Sequence, residues 1–402
     1  MIKRRIFSEL LSSLPEREFT LLVGARQTGK STLLRQLYDQ VLEAGQIAVF
    51  LNLERKNILL DLNENPERVF QYLPQGYSGR AVVFMDEIQY LHDSTHFLKL
   101  LFDEYASRVK VVATGSSAFY LHRDFTDSLA GRKRLFQLPT LDFEEFLLFT
   151  GQEDLADELE LVRKGKIAKS TRSGMLWSAL ETYALYGGYP AVVLEPDPAR
   201  KVDRLYELRD AFVKRDMLES GITDEAGFFR FMTLLAGQTG SLLNLAELGS
   251  TLRLSSRQVE AYIHTLQTCF HIALVRPYVR NLRKELTKMP KAYFLDLGLR
   301  NALIRYFAPL DIRPDRGELF ENLVFRRLYD RYPLEDIHFW RTSDGHEVDF
   351  VVDENAFSAR AWEVKFSASA FSPGRYAKFT EAYPHIPLSC FSWGDDSWWA
   401  NG

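Results

Sequence analysis

The chain has 402 residues, 26% of them charged, with 50 lysines and arginines against 54 acidic residues and a formal net charge of -4. That balance excludes a strongly basic nucleic-acid coat protein while permitting local basic patches, and the length divides into about two or three domains, each large enough to bury its own core. Its two cysteines, Cys269 and Cys390, make neither a zinc site nor a disulfide framework, which points to a reducing cytoplasm, and no uninterrupted apolar stretch approaches the roughly eighteen residues of a membrane span.

The first residues, Met1 to Arg5, are basic but lack a signal-peptide core, and Ile6, Leu10 and Leu14 have the spacing of an amphipathic helix. Phe19-Thr20-Leu21-Leu22-Val23 reads as a buried parallel strand and Ser31 to Tyr38 as a helix, so the intervening Gly24-Ala25-Arg26-Gln27-Thr28-Gly29-Lys30-Ser31 is a complete G-x-x-x-x-G-K-[ST] string joining strand to helix. A glycine turn with a surface lysine is the ordinary alternative. In the strand-loop-helix setting, backbone N–H groups from Gly24 to Thr32 surround phosphates, Lys30 reaches the terminal phosphates and Ser31 ligates Mg2+, so the expected cofactors are ATP and Mg2+.

About sixty residues on, room for two or three elements, the apolar strand Ala81 to Met85 ends in two carboxylates. Asp86 at the strand end is expected to hold the Mg2+ shell and Glu87 to polarise water for attack on the γ-phosphate; a charged strand end facing solvent is the alternative. A third strand, Val109 to Ala113, runs into Thr114-Gly115-Ser116-Ser117, where Ser116 is the first candidate γ-phosphate sensor and Thr114 the second. The basic run Gly131-Arg132-Lys133-Arg134 then precedes the strand-like Leu135 to Leu138.

The order of these motifs resembles an AAA+ ATPase of the prokaryotic archaeal-ATPase-like branch, in the spellings GARQTGKST, MDEIQ, TGSSA and LAGRKRLFQLPTLDFEEF. The resemblance implies a ring-forming or open homo-oligomer in which an arginine before the last strand reaches a neighbouring subunit's γ-phosphate. Arg132 is the candidate and Arg134 the alternative, set against an ordinary solvated basic cluster. Gly187-Gly188-Tyr189-Pro190 resembles the lid turn that approaches adenine in related signalling ATPases; a helix stop made by two glycines and a proline accounts for it equally.

From Asp142 the pattern turns helical, and residues 142–225 read as a helical lid. Helical patterns over Phe228 to Gln238, Leu245 to Leu252 and Ser255 to Thr268, followed by the strand-like Phe270 to Val275, make 226–292 a winged-helix candidate, with Ser255 and Gln258 as a capping box. Val259, Ile263 and Leu266 give the last helix a core stripe, leaving Arg257, Gln258 and His264 to face outward toward DNA. Arg276, Arg280, Arg283, Lys284, Lys288 and Lys291 follow, enough charge for salt-sensitive phosphate contact that reads shape more than sequence. A winged helix that joins only subunits or domains is the alternative.

In residues 293–402, Glu321, Asp349, Glu363 and Lys365 resemble the PD-(D/E)xK nuclease core, with Val348 where the motif has proline. Asp349 and Glu363 would bind Mg2+, and Lys365, two residues from Glu363 on one strand face, would orient or deprotonate water. A buried salt-bridge network uses the same residues. The whole reads as an α/β chain: a P-loop NTPase parallel sheet (1–141), a helical lid, a winged helix and a small α/β nuclease-like domain. The expected function is Mg-ATP hydrolysis coupled to remodelling of, or movement along, DNA, such as branched DNA in repair or recombination. An ATP-gated nuclease and a nucleotide-controlled signalling switch are the alternatives.

Overall fold

The computed structural model describes residues 2–115, 129–278, 288–355 and 358–400. Two compact units divide the chain, one of Met1–Pro139 with Thr268–Phe270 and the other of Thr140–Gln267 with His271–Gly402.

The first unit is a parallel sheet between two helical layers. Its strands β1 (Phe19–Val23), β2 (Ala48–Asn52), β3 (Ala81–Asp86), β4 (Val109–Thr114) and β5 (Lys133–Gln137) lie in the order β2-β3-β4-β1-β5, every pairing parallel. Residues of β1, β3 and β4 are buried throughout, as a sheet covered on both faces requires. Strand alternation sorts the faces: Leu22, Val82, Phe84, Val112 and Phe136 pack with Phe7, Leu10 and Leu14 and with Leu33, Leu34, Leu37 and Val41. These come from α1 (Phe7–Ser12), from Leu14 shortly beyond it, and from α2 (Lys30–Glu43). Leu21, Val23, Val83, Met85, Val111 and Ala113 turn instead to α3 (Lys56–Glu64) and α4 (Ser94–Tyr105), through Ile58, Leu62, Phe97, Leu98 and Leu101.

The second unit begins with α5 (Phe143–Phe149), α6 (Glu153–Arg163), α7 (Ser173–Tyr186) and α8 (Pro198–Ser220). Asp142 and Glu145 close a capping box at the start of α5. At the end of α7, Gly187 has φ 73° and a Cβ there would lie 2.2 Å from Asp296 Oδ1, while the Gly188 amide donates to Asp296 Oδ2 at 2.8 Å. In this unit, then, the glycine pair stops a helix and seats a buried carboxylate.

Next come α9 (Glu225–Gly237), α10 (Leu245–Leu252) and α11 (Ser256–Thr268), then β6 (Ile272–Pro277) and β7 (Lys291–Phe294) in antiparallel register. Ser255 and Gln258 exchange the two bonds of a capping box, Gln258 N to Ser255 Oγ at 3.3 Å and Ser255 N to Gln258 Oε1 at 3.0 Å. After α12 (Leu297–Ile304) and α13 (Arg316–Tyr329) follow β8 (Ile337–Arg341), β9 (Glu347–Asn355), β10 (Ser358–Lys365) and β11 (Leu388–Ser392).

Strands β6 and β7, expected to belong to a separate winged helix, join the later strands in one six-stranded sheet of order β11-β10-β9-β8-β6-β7. The joint is a short parallel pairing of Arg276 and Pro277 with His338 and Phe339. Boundaries at 225/226 and 292/293 therefore do not separate compact units: the helices, the β6–β7 pair and the nuclease-like strands cluster together. The core behind β6 and β7 gathers Phe228, Phe231, Val259, Ile263 and Leu266 with Ile272, Phe294, Leu299 and Leu303.

Candidate functional site

Three strand ends and one helix start converge in the first unit. The loop leaves β1 at Gly24, whose φ is +152° and whose Cβ would lie 2.2 Å from the Leu138 carbonyl oxygen, so the loop passes the end of β5 too closely for any side chain. Gln27 and Gly29 also take positive φ, 59° and 96°, curling the backbone before α2 begins at Lys30. Thr28 Oγ1 donates to the Ala25 carbonyl at 3.0 Å. The Lys30 ammonium, buried, donates to the carbonyls of Gly24 at 2.8 Å and Ala25 at 2.7 Å. Sequence reasoning missed one brace, Arg4. This nearly buried guanidinium donates to the Thr28 and Pro139 carbonyls at 2.9 Å each, tying the N-terminal segment to the loop. Its only signal in the sequence was a basic run before an amphipathic helix.

Asp86, at the end of β3, accepts at one oxygen, Oδ1, from Ser31 Oγ at 3.0 Å and Thr114 Oγ1 at 2.5 Å. Thr114 at the end of β4 in turn accepts from the Glu87 amide at 3.1 Å. Glu87 has left-handed backbone, φ 61° and ψ 52°, which is uncommon outside glycine and turns the chain sharply after the buried strand. Gln89 Nε2 donates to the Glu87 carboxylate. Five expected residues, Gly24, Lys30, Ser31, Asp86 and Glu87, are thus brought together with Thr114, the second sensor candidate. Ser116, the first, lies outside the described residues.

Arg132 is held within its own unit by a two-pronged pair with Asp103, Nε to Oδ1 at 2.7 Å and a second nitrogen to Oδ2 at 3.2 Å. Arg134 pairs with Glu16 at 2.6 Å and Glu9 at 3.3 Å. Both guanidiniums are partly exposed, and those hydrogen bonds, led by Asp103 and Glu16, hold their pKa above the ordinary arginine value.

In the second unit Arg257, Gln258 and His264 lie exposed on α11 while Val259, Ile263 and Leu266 are buried, and Arg276 is exposed on β6. Arg280, Arg283 and Lys284 lie outside the described residues. Lys291, expected among the phosphate-contacting cations, is a correction: its side chain is 2% exposed and lies among carboxylates, 3.0 Å from Glu321 Oε1, 2.6 Å from Glu347 Oε1 and 3.8 Å from Asp349 Oδ1. Strand period two puts Lys291 with Tyr293, Glu347 with Asp349, and Glu363 with Lys365 on shared faces.

Tyr293 donates to Glu321 Oε1 at 2.6 Å, the Val364 amide to Asp349 Oδ2 at 2.8 Å, and Lys365 to Glu363 Oε1. Burial pushes the Glu321 carboxyl up to about 7, Lys291 opposing and Asp349 adding to the rise. Burial likewise pushes Asp349 up to about 6, Lys291 again opposing and Glu363 adding to it. For Lys291 itself burial works against the charge, but the carboxylates of Glu321, Asp349 and Glu347 outweigh it and raise its pKa. Glu321, Asp349, Glu363 and Lys365 therefore do share one region, together with Lys291, Tyr293 and Glu347, which sequence reasoning gave no part in it. Among the described residues, no three His, Cys, Asp or Glu side chains are grouped so as to hold a metal ion.

A strand-loop-helix turn with a buried lysine and a serine hydroxyl, facing a strand-end carboxylate in a β2-β3-β4-β1-β5 parallel sheet, defines the first unit as a P-loop nucleotide-binding fold. Residues 16–147 match a family model described as an AAA domain. Residues 178–310 and 316–389 match two described as domains of unknown function, DUF8612 and DUF4143. An uncharacterized protein of Methanocaldococcus jannaschii is 26% identical over 330 residues, covering 78% of this chain and 68% of that protein. An uncharacterized protein of Haemophilus influenzae is 25% identical over 380 residues, covering 90% and 88%. Among solved structures, the Aeropyrum pernix ORC1 protein in complex with DNA is similar at a TM-score of 0.32 and 14% identity, over 76% of this chain and 93% of that one. No described helix is long and apolar enough to cross a membrane.

Proposed function

We propose that this chain is an Mg-ATP-hydrolysing AAA+ ATPase that couples nucleotide turnover to work on DNA. The observation that carries the reading is the shared oxygen of Asp86: one carboxylate oxygen faces both the Ser31 hydroxyl and the Thr114 hydroxyl, and the same Thr114 holds the Glu87 amide. Hydroxyl and carboxylate oxygens are the hard donors Mg2+ takes, so Ser31 and Asp86 would hold it, and Mg2+ would neutralise charge on the triphosphate. Lys30 exchanges its two loop carbonyls for phosphate oxygens, and the N–H groups at the start of α2 add the field of a helix N-terminus. Glu87, fixed at its backbone by Thr114, orients the attacking water.

DNA as the partner rests on the exposed Arg257, Gln258 and His264 of α11 and on Arg276, which offer cation and hydrogen-bond donors to a phosphate backbone. In a homo-oligomer, Arg132 would serve a neighbour's γ-phosphate by exchanging Asp103 for it. The test is steady-state ATP hydrolysis with Mg2+, with and without linear, forked and four-way DNA. Glu87→Gln should bind nucleotide and lose turnover, Lys30→Ala should lose binding, and one DNA shape should stimulate the rate; normal hydrolysis by Glu87→Gln removes the base assignment. A second reading, a slow nucleotide-controlled switch, is favoured by the Gln89 side chain bonded to the Glu87 carboxylate. It predicts retained nucleotide, a rate indifferent to every DNA and to Arg132→Ala, and faster turnover in Gln89→Ala.

A further inference from the structure

The strand residues of the second sheet that resemble a metal-dependent nuclease have an unexpected neighbour. Lys291, at the start of β7, reaches with its ammonium between Glu321 of α13 and Glu347 of β9, with Asp349 beyond. We infer that Lys291 is the built-in cation of this acidic basin, standing where a divalent ion would otherwise be held, so that the sheet carries no metal-dependent hydrolytic centre.

Three observations support this. First, the basin has ammonium dimensions. The distances of 2.6 and 3.0 Å from Nζ to Glu347 and Glu321 are hydrogen-bond lengths, whereas Mg2+ draws its oxygens in to about 2.0–2.1 Å. Second, two of the basin's oxygens are already committed. Glu321 Oε1 accepts from Lys291 and from Tyr293, and Asp349 Oδ2 accepts from the Val364 amide. Third, the charge is nearly closed without a metal. Lys291, Lys365 and Arg341 face Glu321, Glu347, Asp349 and Glu363, Arg341 pairing with Glu347 and Lys365 with Glu363. A divalent ion would enter beside an ammonium that is 2% exposed and already paired with Glu321 and Glu347.

Glu363 Oε2 is buried with no hydrogen-bond partner among the described residues, so a metal admitted despite Lys291 would lodge between Glu363 and Asp349. The experiment uses the full chain without nucleotide and titrates Mn2+, following free Mn2+ by electron paramagnetic resonance. Wild type and Asp349→Asn should bind Mn2+ alike. Lys291→Met, which removes the ammonium and keeps the stem, should gain a site at least tenfold tighter than any wild-type binding. That gain should vanish in Lys291→Met/Asp349→Asn, and Mn2+ should raise the thermal midpoint of Lys291→Met but not of wild type. Wild-type Mn2+ binding that weakens in Asp349→Asn overturns the inference, as does a folded Lys291→Met that gains nothing. If Lys291→Met does not fold, the comparison of wild type with Asp349→Asn still decides.

Discussion

Thr114→Val isolates the hydroxyl on which the proposed catalytic geometry depends. Valine keeps the shape of threonine and its β-branching, so the strand end is preserved and only the Oγ1 atom is lost. That atom is fully buried, donates to Asp86 Oδ1 at 2.5 Å and accepts from the Glu87 amide at 3.1 Å. A hydrogen bond to a charged acceptor contributes about 1.5–3 kcal/mol, and a buried N–H left without an acceptor costs about 1–3 kcal/mol. The sum is about 2.5–6 kcal/mol on the local geometry of Asp86 and Glu87. Thr114→Ser keeps both bonds and deletes one buried methyl, worth about 1 kcal/mol. At about 1.4 kcal/mol per factor of ten, Thr114→Val should speed amide exchange at Glu87 about a hundredfold or more, measured by hydrogen–deuterium exchange on the peptide from Ala81 to Leu91, whereas Thr114→Ser should change it about tenfold or less. ATP turnover should fall in Thr114→Val and persist in Thr114→Ser. Equal exchange in the two variants would refute the reasoning, because it would mean that the hydroxyl does not hold the turn.

Gly24→Ala should destabilise the first unit by about 2 kcal/mol or more and abolish nucleotide binding, since its Cβ would meet a backbone oxygen at 2.2 Å in a left-handed conformation; circular dichroism on denaturation and a nucleotide-binding assay check this. Arg326→Met should destabilise the second unit by about 3 kcal/mol or more, because the carbonyls of Leu295 and Thr140 lose donors and Asp330 loses a cation at 2.7 Å. All six tryptophans lie between Trp177 and Trp399, so their fluorescence reports that loss. Glu321→Gln tests the raised carboxyl. An acid whose folded pKa is about 7 and whose unfolded value is near 4.5 adds stability fully present below about pH 4.5 and lost as pH rises through 7. Wild type should therefore lose up to about 3 kcal/mol relative to Glu321→Gln across that window, by denaturant titration at each pH, and a pH-independent difference would exclude the raised pKa.

The first unit was largely legible in the sequence because each of its functional groups is fixed by a few neighbours along the chain. A glycine-rich loop between an apolar strand and a helix has few other solutions, and strand-end carboxylates announce themselves by interrupting an apolar run. The second unit was legible helix by helix, through its caps and its Val259, Ile263 and Leu266 stripe, but not in how its strands join. The short pairing of Arg276 and Pro277 with His338 and Phe339 links segments sixty residues apart and has no local signature. Lys291 was misread for a related reason. A lysine after a basic run reads as solvated, since lysines are rarely buried unless paired, and its partners Glu321, Glu347 and Asp349 all come from later in the chain. Arg132 and Asp103 are likewise joined only by the fold.

The strand order of the first sheet also has a consequence for synthesis. β1 leaves the ribosome well before both its neighbours, β4 and β5, which begin at Val109 and Lys133. At roughly 5–20 residues per second, this apolar strand waits on the order of 5–20 s with both edges unpaired. Phe270, which packs against the core of that same unit, emerges only after the helices from Phe143 to Thr268 have been made. The nascent nucleotide-binding unit is thus held incomplete through much of translation, and a cell making this protein must shield β1 from other exposed strands until its neighbours arrive.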